Sequence, residues 1–421
     1  MTKVKTLIIG AGISGLASAL YLGDDYLIVE KEATPGGYCR TIKRNGFIWD
    51  YAGHFYHFRN EELKKLFRES LPESEILNKV KCTKIYYKGK LIDYPFQTNI
   101  HQLEKDEFID CLYDLFFKTE KESYDSFLDM LYGKFGVSIT EKFLRPYNEK
   151  LYSVDLTQLD RDAMGRFFPY ADLEQIIRNM KAGDNASYNN TFLYPKGGAQ
   201  AYIDVLESKL DPTKIRYNTE IVSVDRKAKT AATSDGEVIA YDNLISSAPL
   251  NTLLPMLGDG ELASKLSYNR VLVFNLGFDK KSPNFTEEHW LYLPEKKYNF
   301  YRCGFYDNIM DSDRLSMYIE IGFGKDGEVD IDRELEATLR GLREIGVTDE
   351  TMTLVDYEPI LMDPAYVHIN TETERALSVW RESAARDGIY SIGRYGAWTY
   401  CSMEDCMSEA RNLAERLSDN K

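Results

Sequence analysis

The chain has 421 residues, 43% of them hydrophobic and 28% charged, which describes a globular protein larger than one ordinary domain. Its formal net charge of -15 repels nucleic acid and anionic lipid, so neither is an expected partner. No apolar run reaches the length of a membrane span, and the first expected strand begins at residue 4, leaving no room for a signal peptide. Cysteines 39, 82, 111, 303, 401 and 406 show neither metal nor CxxC spacing, which reads as reduced thiols in a cytoplasmic protein.

In chain order, residues 4–9 form an apolar strand, 13–22 carry helical spacing and 26–29 form a second strand. Gly10-Ala11-Gly12-Ile13-Ser14-Gly15 falls on the turn between the first strand and the helix. There Gly10 makes the tight turn, Gly12 lets a pyrophosphate approach the backbone, and Gly15 lets helix and strand pack closely. The helix N-terminus faces the phosphate charge, and Glu30 closes the second strand to accept hydrogen bonds from an adenosine ribose. These elements in register predict an adenine dinucleotide site. The stretch from Glu30 and Lys31 through Gly36-Gly37-Tyr38-Cys39-Arg40-Thr41 resembles FAD enzymes related to the amine oxidases, in which a glycine pair and Arg-Thr lie near the flavin. Gly388-Ile389-Tyr390-Ser391-Ile392-Gly393-Arg394 is similar to the strand those enzymes place beside the isoalloxazine. FAD is therefore the expected cofactor, held by both ends of the chain.

Between these ends, residues 85–92 carry a Lys-Gly hairpin signal, and 108–117 and 124–135 carry helical spacing. Strands are expected at 215–217, 220–224, 244–249 and 271–276, an amphipathic helix at 332–345, and a closing helix from about Ser402. The expected fold is α/β: a Rossmann-like FAD-binding domain with inserted helical and antiparallel β substrate domains. Its boundaries are 1–95, 190–262 and 385–421 for the discontinuous FAD domain, 96–189 for the helical insertion and 263–384 for the strand-rich insertion. Tyr94-Pro95-Phe96-Gln97 reads as packing at the junction.

With these residues placed, the chain resembles the UDP-galactopyranose mutases over most of its length. Tyr51-Ala52-Gly53-His54-Phe55-Tyr56-His57 is similar to their Gly-Ala-His-x-x-His segment beside the flavin, and Phe143-Leu144-Arg145-Pro146-Tyr147-Asn148-Glu149-Lys150-Leu151-Tyr152 to their Tyr-Thr-x-Lys-Gln-Trp segment. Arg166-Phe167-Phe168-Pro169-Tyr170 resembles their mobile loop bounded by two arginines. Tyr188-Asn189-Asn190-Thr191-Phe192 through Pro195-Lys196-Gly197-Gly198, and Gly393-Arg394-Tyr395-Gly396-Ala397-Trp398-Thr399-Tyr400 with Met403-Glu404, match two further segments. The departures are Tyr170 at the second loop arginine, Phe192 at a phosphate-binding tyrosine and Tyr152 at a tryptophan. Each lost charge-assisted bond removes about 1.5–3 kcal/mol, so the fold and cofactor survive these changes better than the family's substrate does.

The resemblance implies ring isomerisation of a nucleotide-sugar or related precursor through a flavin N5–sugar adduct, in cell-surface polysaccharide biosynthesis. The cofactor is then the nucleophile. Implied catalytic residues are His54, Arg302 and Tyr400, with Arg302 as diphosphate clamp or surface arginine. Implied substrate contacts are Tyr147 (base stacking or core), Tyr152, Arg166, Phe192, Arg302 and Tyr400. Implied cofactor contacts are Gly10, Gly12, Ile13, Ser14, Gly15, Glu30, Lys31, Gly37, Tyr38, Arg40, Thr41, Gly53, His54, Val222, Gly393, Arg394 and Met403, with no metal. His57 reads as structural. The expected partner is a small-molecule substrate, with an external reductant such as NAD(P)H and a homodimer left open. The alternatives are an oxidoreductase of the amine oxidase or protoporphyrinogen oxidase type, and a non-enzymatic relative of the fold that binds lipidated GTPases.

Overall fold

The computed structural model describes residues 2–182 and 191–419. Strand β1 (Thr2–Ile9), helix α1 (Ile13–Leu22) and strand β2 (Tyr26–Val29) form the opening βαβ unit, at the expected positions. β1 sits mid-sheet, paired in parallel with β2 on one side and with Val238–Ser246 on the other. The nine-residue strand Val238–Ser246 uses its first half to hold Thr230–Thr233 and its last half to hold Ile389–Ser391. The closing segment of the chain thereby joins the sheet beside the glycine turn. Alternation along β1 sends Ile8 into a layer with α1, Gln200–Glu207 and the last helix, Met403–Asp419, while Leu7 and Ile9 face Leu250, Leu253 and Leu254.

A second seven-stranded sheet runs in the order Leu354–Val367, Tyr268–Phe278, Ser316–Gly324, Arg302–Phe305, Trp290–Tyr292, Thr83–Tyr87, Lys90–Asp93. One face packs Leu272, Phe274, Met317 and Ile319 under the helix Ile331–Glu344, around its buried Leu342. The other face looks toward the helical segment, whose helices include Lys105–Phe117, Phe127–Ile139, Arg145–Tyr152 and Leu173–Ala182. Two short ribbons, Thr41–Arg44 with Phe47–Asp50 and Ile76–Val80 with Thr191–Pro195, bridge the layers.

Two boundaries differ from expectation. The hairpin of residues 83–93 turns at Lys88-Gly89, both at positive φ, but belongs to the second sheet, because Thr83, Lys84 and Ile85 pair with Trp290, Leu291 and Tyr292. The helix Thr371–Arg386 packs Leu377 and Trp380 against the first sheet rather than within the strand-rich insertion. Local periodicity identifies an element, whereas the apolar face that receives it is a long-range property. Among the described residues, no helix is long and apolar enough to cross a membrane.

Candidate active site

The glycine turn has the geometry its residues require. Gly10 lies at φ +97° and donates its N–H to Val29 O at 2.8 Å. A Cβ on Gly15 would meet Gly10 O at 1.9 Å, so no side chain fits where α1 crosses β1. A Cβ on Gly12 would meet nothing within 4 Å, which leaves that backbone face open. Gly12 caps α1 with no side-chain hydrogen bond, so the first amides of the helix are available to an anion. Ile13 and Ser14 are buried behind them. Glu30 accepts from Ala11 N at 2.7 Å and from Glu32 N at 2.9 Å. Its carboxylate thus braces the turn and keeps a lone pair on each oxygen for a ribose hydroxyl.

Around this turn, Gly37 is exposed at φ +55°. Arg40 donates Nε to Gly37 O at 2.9 Å and lies 4.7 Å over the Tyr51 ring. Lys31 is a solvent-facing lysine near Glu32, and Val222 is exposed on the strand Ile221–Asp225. Tyr38 Oη accepts from Asp363 N at 2.8 Å. The Thr41 hydroxyl is committed to the protein, donating to Asp50 at 2.6 Å and accepting from Gln200 N at 3.0 Å. Asp50 is fully buried, also accepts from Tyr194 Oη at 2.8 Å and Ala199 N at 2.9 Å, and is raised to about 6 by desolvation against those bonds. Thr41 therefore buttresses the site instead of presenting its hydroxyl to a cofactor.

From the far end of the chain, Gly393 lies at φ +80°, and a Cβ there would meet Ser14 Oγ at 2.2 Å. Its N–H donates to Glu409 at 2.7 Å. Arg394 sits 4.4 Å over Tyr400 and 5.3 Å over Tyr366, with Nη1 donating to Cys401 O at 3.3 Å. Met403 Sδ lies 3.7 Å from Cys39 Sγ. A Cβ on Gly53 would meet Tyr318 Oη at 2.3 Å. His54 Nδ1 lies 2.9 Å from Ala52 O, so the ring carries its proton there and leaves Nε2 as acceptor. Burial lowers the His54 pKa to about 4, and His57, bonded to Thr191 O at 3.0 Å, is lowered likewise to about 4. Both rings are neutral at pH 7. Uncapped amides, an open glycine face and three glycines without room for a side chain form a cradle that fits a dinucleotide flavin.

The register of the second sheet builds the adjoining cleft. Arg302 stands directly opposite Glu320 and Tyr292 opposite Arg302, while Gly304 stands opposite both Tyr318 and Trp290. Period-2 alternation puts all of these on one face. Arg302 donates Nε at 2.9 Å and Nη2 at 2.7 Å to the two oxygens of Glu320, which is 2% exposed. Its charge is thus already neutralised, which limits it as a diphosphate clamp. Arg166 is likewise paired with Asp405, at 2.5 and 2.6 Å, on the exposed rim. Tyr147 stacks on Phe143 and meets Tyr292 edge-on at 5.2 Å, and Tyr400 stacks on Tyr366 at 5.9 Å.

Two expected substrate contacts are core residues. Phe192 is buried among Phe55, His289 and Trp290, and Tyr152 is buried with its hydroxyl unpartnered beside Tyr366. Both lie on elements whose apolar faces the helical segment and second sheet close over. Tyr188, Asn189 and Asn190 lie outside the described residues. Glu320, Asp405 and Lys81 escaped sequence reasoning. For Glu320 a signal existed, a lone acid in the apolar run Met317-Tyr318-Ile319-Glu320-Ile321. Among the described residues, no cluster of three His, Cys, Asp or Glu could hold a metal.

This cradle and fold define a flavoenzyme, and the family model of flavin-containing amine oxidoreductases matches residues 13–418. The chain belongs to that family; it is an FAD enzyme. Its whole length superposes on the reduced form of a UDP-galactopyranose mutase, with a TM-score of 0.93, 25% identity and 95% of that chain covered. A protoporphyrinogen oxidase-like protein of Exiguobacterium sp. 255-15 shares the fold at TM-score 0.77 and 20% identity, over 100% of this chain and 99% of that one. Coproporphyrinogen III oxidase of Staphylococcus aureus (strain NCTC 8325 / PS 47) is 24% identical over 330 residues, 68% of this chain and 70% of the relative.

Proposed function

We propose that this enzyme isomerises the ring of a nucleotide-linked sugar or a related precursor, in the manner of a UDP-galactopyranose mutase, and serves surface polysaccharide synthesis. The observation that carries this reading is the superposition of the whole chain on such a mutase at TM-score 0.93. When bound, reduced flavin supplies the nucleophile, so the chain needs no nucleophilic side chain of its own.

We assign the residue roles within this reading. The amides after Gly12 would hold the pyrophosphate, Glu30 would take the ribose, and Arg394, which lies over Tyr366 and Tyr400, would supply a positive charge to the flavin. His54 offers Nε2 as a neutral acceptor toward a sugar hydroxyl, because its proton is fixed on Nδ1 by Ala52 O. Tyr147 and Tyr292 would form the wall against which a base stacks, and Tyr400, stacked on Tyr366, would donate to the diphosphate. The aromatic walls would limit the access of water to a bound substrate.

The test is to reduce the FAD-loaded protein with dithionite without oxygen and supply UDP- and dTDP-hexopyranoses. A ring isomer of equal mass is expected from one donor. No isomer from any donor sinks the proposal. The relationship to coproporphyrinogen III oxidase supports a second reading, an oxygen-dependent oxidoreductase acting on a porphyrinogen. Rapid flavin reduction by coproporphyrinogen, with peroxide released in air, would establish that reading instead.

A further inference from the structure

The arginines that sequence reasoning assigned to a substrate anion are compensated before any ligand arrives, Arg302 by Glu320 and Arg166 by Asp405. With Arg394 reserved for the flavin, an anionic substrate therefore requires another cation in this cleft. Lys81 lies in the segment joining the ribbon strand Ile76–Val80 to the second-sheet strand Thr83–Tyr87. Its ammonium stands 5.1 Å from the centroid of the Tyr94 ring and 5.6 Å from that of Trp290. Both rings are fixed, since Trp290 Nε1 donates to Tyr318 Oη at 2.6 Å and Tyr94 packs on Tyr292 at 5.1 Å. Tyr292 is the residue that meets Tyr147 and stands opposite Arg302, so Lys81 belongs to the same aromatic cleft.

Among the described residues Lys81 has no carboxylate partner, and its surroundings are aromatic faces. Cation–π contacts alone do not replace the hydration that a partly buried ammonium gives up. Burial, with Arg302 adding repulsion, lowers the Lys81 pKa to about 8. An arriving anion would restore the protonated form and supply the missing counter-charge.

We propose that Lys81 is the residue that binds the anionic group of the substrate, a phosphate or a carboxylate, at the aromatic wall formed by Tyr94 and Trp290. This rests on reading the cleft as the substrate site. It also deepens that reading, because Lys81 supplies the charge that Tyr170 does not.

The experiment titrates FAD-loaded wild type, K81R and K81M with UDP, inorganic pyrophosphate and the tetracarboxylate coproporphyrin III by calorimetry, with thermal melts confirming that each variant folds. One lost charge-assisted bond of about 1.5–3 kcal/mol corresponds to roughly 10- to 150-fold weaker binding for K81M, with K81R retaining most of the affinity. In wild type, acylation of Lys81 by a water-soluble amine reagent, read by peptide mass spectrometry, is expected to slow when the bound anion is added. If only coproporphyrin binds, and does so through Lys81, the lysine assignment stands and the nucleotide-sugar reading falls. Equal affinities for K81M and wild type, an acylation rate indifferent to the bound anion, or wild type binding none of the three anions would overturn the assignment.

Discussion

Neutralising Glu320 should expose the cost of the charge it holds. In Glu320→Gln the Arg302 guanidinium keeps its place among Tyr147, Tyr318 and Tyr366 but loses a carboxylate bonded at 2.7 and 2.9 Å. Two charges about 4 Å apart at an effective dielectric near 20 attract by about 4 kcal/mol. Removing one partner of a buried pair costs about 3–5 kcal/mol in comparable proteins, because the remaining ion cannot regain its hydration. Replacing both by apolar residues of similar volume, Arg302→Met with Glu320→Leu, removes the desolvation cost together with the attraction and should leave stability within about 1.5 kcal/mol of wild type. Denaturant titration of the FAD-loaded proteins, as a double-mutant cycle with both single variants, measures this directly. With each single variant costing about 3–5 kcal/mol and the double variant within about 1.5, a coupling energy of about 4.5 kcal/mol or more is expected. Single variants costing under about 1 kcal/mol, or costs that simply add, would refute the picture of a desolvated, mutually dependent pair. The double variant should also keep its flavin spectrum while losing turnover, since the pair faces the cleft.

Gly15→Ala places a Cβ 1.9 Å from Gly10 O, a backbone atom that cannot swing away; the strand–helix crossing must open, and loss of about 3 kcal/mol or more together with bound FAD is expected by denaturation and visible absorbance. Asp50 is raised on folding to about 6 from 3.8, so the native state binds its proton more tightly. The stability from that proton is full below about pH 4 and lost as pH rises through about 6, a change of about 3 kcal/mol that Asp50→Asn should abolish in wild-type-minus-variant unfolding curves. His54 behaves oppositely: with its folded pKa lowered to about 4 against 6.5, it stabilises fully above pH 6.5 and less as pH falls toward 4. His54→Gln should flatten the acid limb of a pH–stability profile while weakening turnover, and an unchanged acid limb would count against a buried neutral imidazole.

Much of this protein was legible in the chain because the dinucleotide cradle is a local object. Gly10, Gly12, Gly15 and Glu30 lie within about one βαβ unit, with Gly10 held at positive φ, Gly15 left no room for a Cβ and Glu30 bracing the turn through its carboxylate. The Gly393-Arg394 segment was legible for the same reason, as a strand ending in a glycine at positive φ. The cleft was not, because its chemistry arises from register between strands far apart in sequence. Arg302 looked like an available clamp until strand pairing set Glu320 opposite it, and Thr41 looked like a cofactor ligand until Asp50 claimed its hydroxyl. Phe192 and Tyr152 carried family positions yet went into the core. Sequence alone determined the dinucleotide turn and the fold class, since short-range sterics and periodicity specify both, while FAD followed from the resemblance of residues 36–41 and 388–394 to amine oxidase relatives. Only the tertiary structure decided which charges are already paired and which, like Lys81, still need a counter-ion, because burial and electrostatic compensation depend on neighbours that the folded sheets bring together.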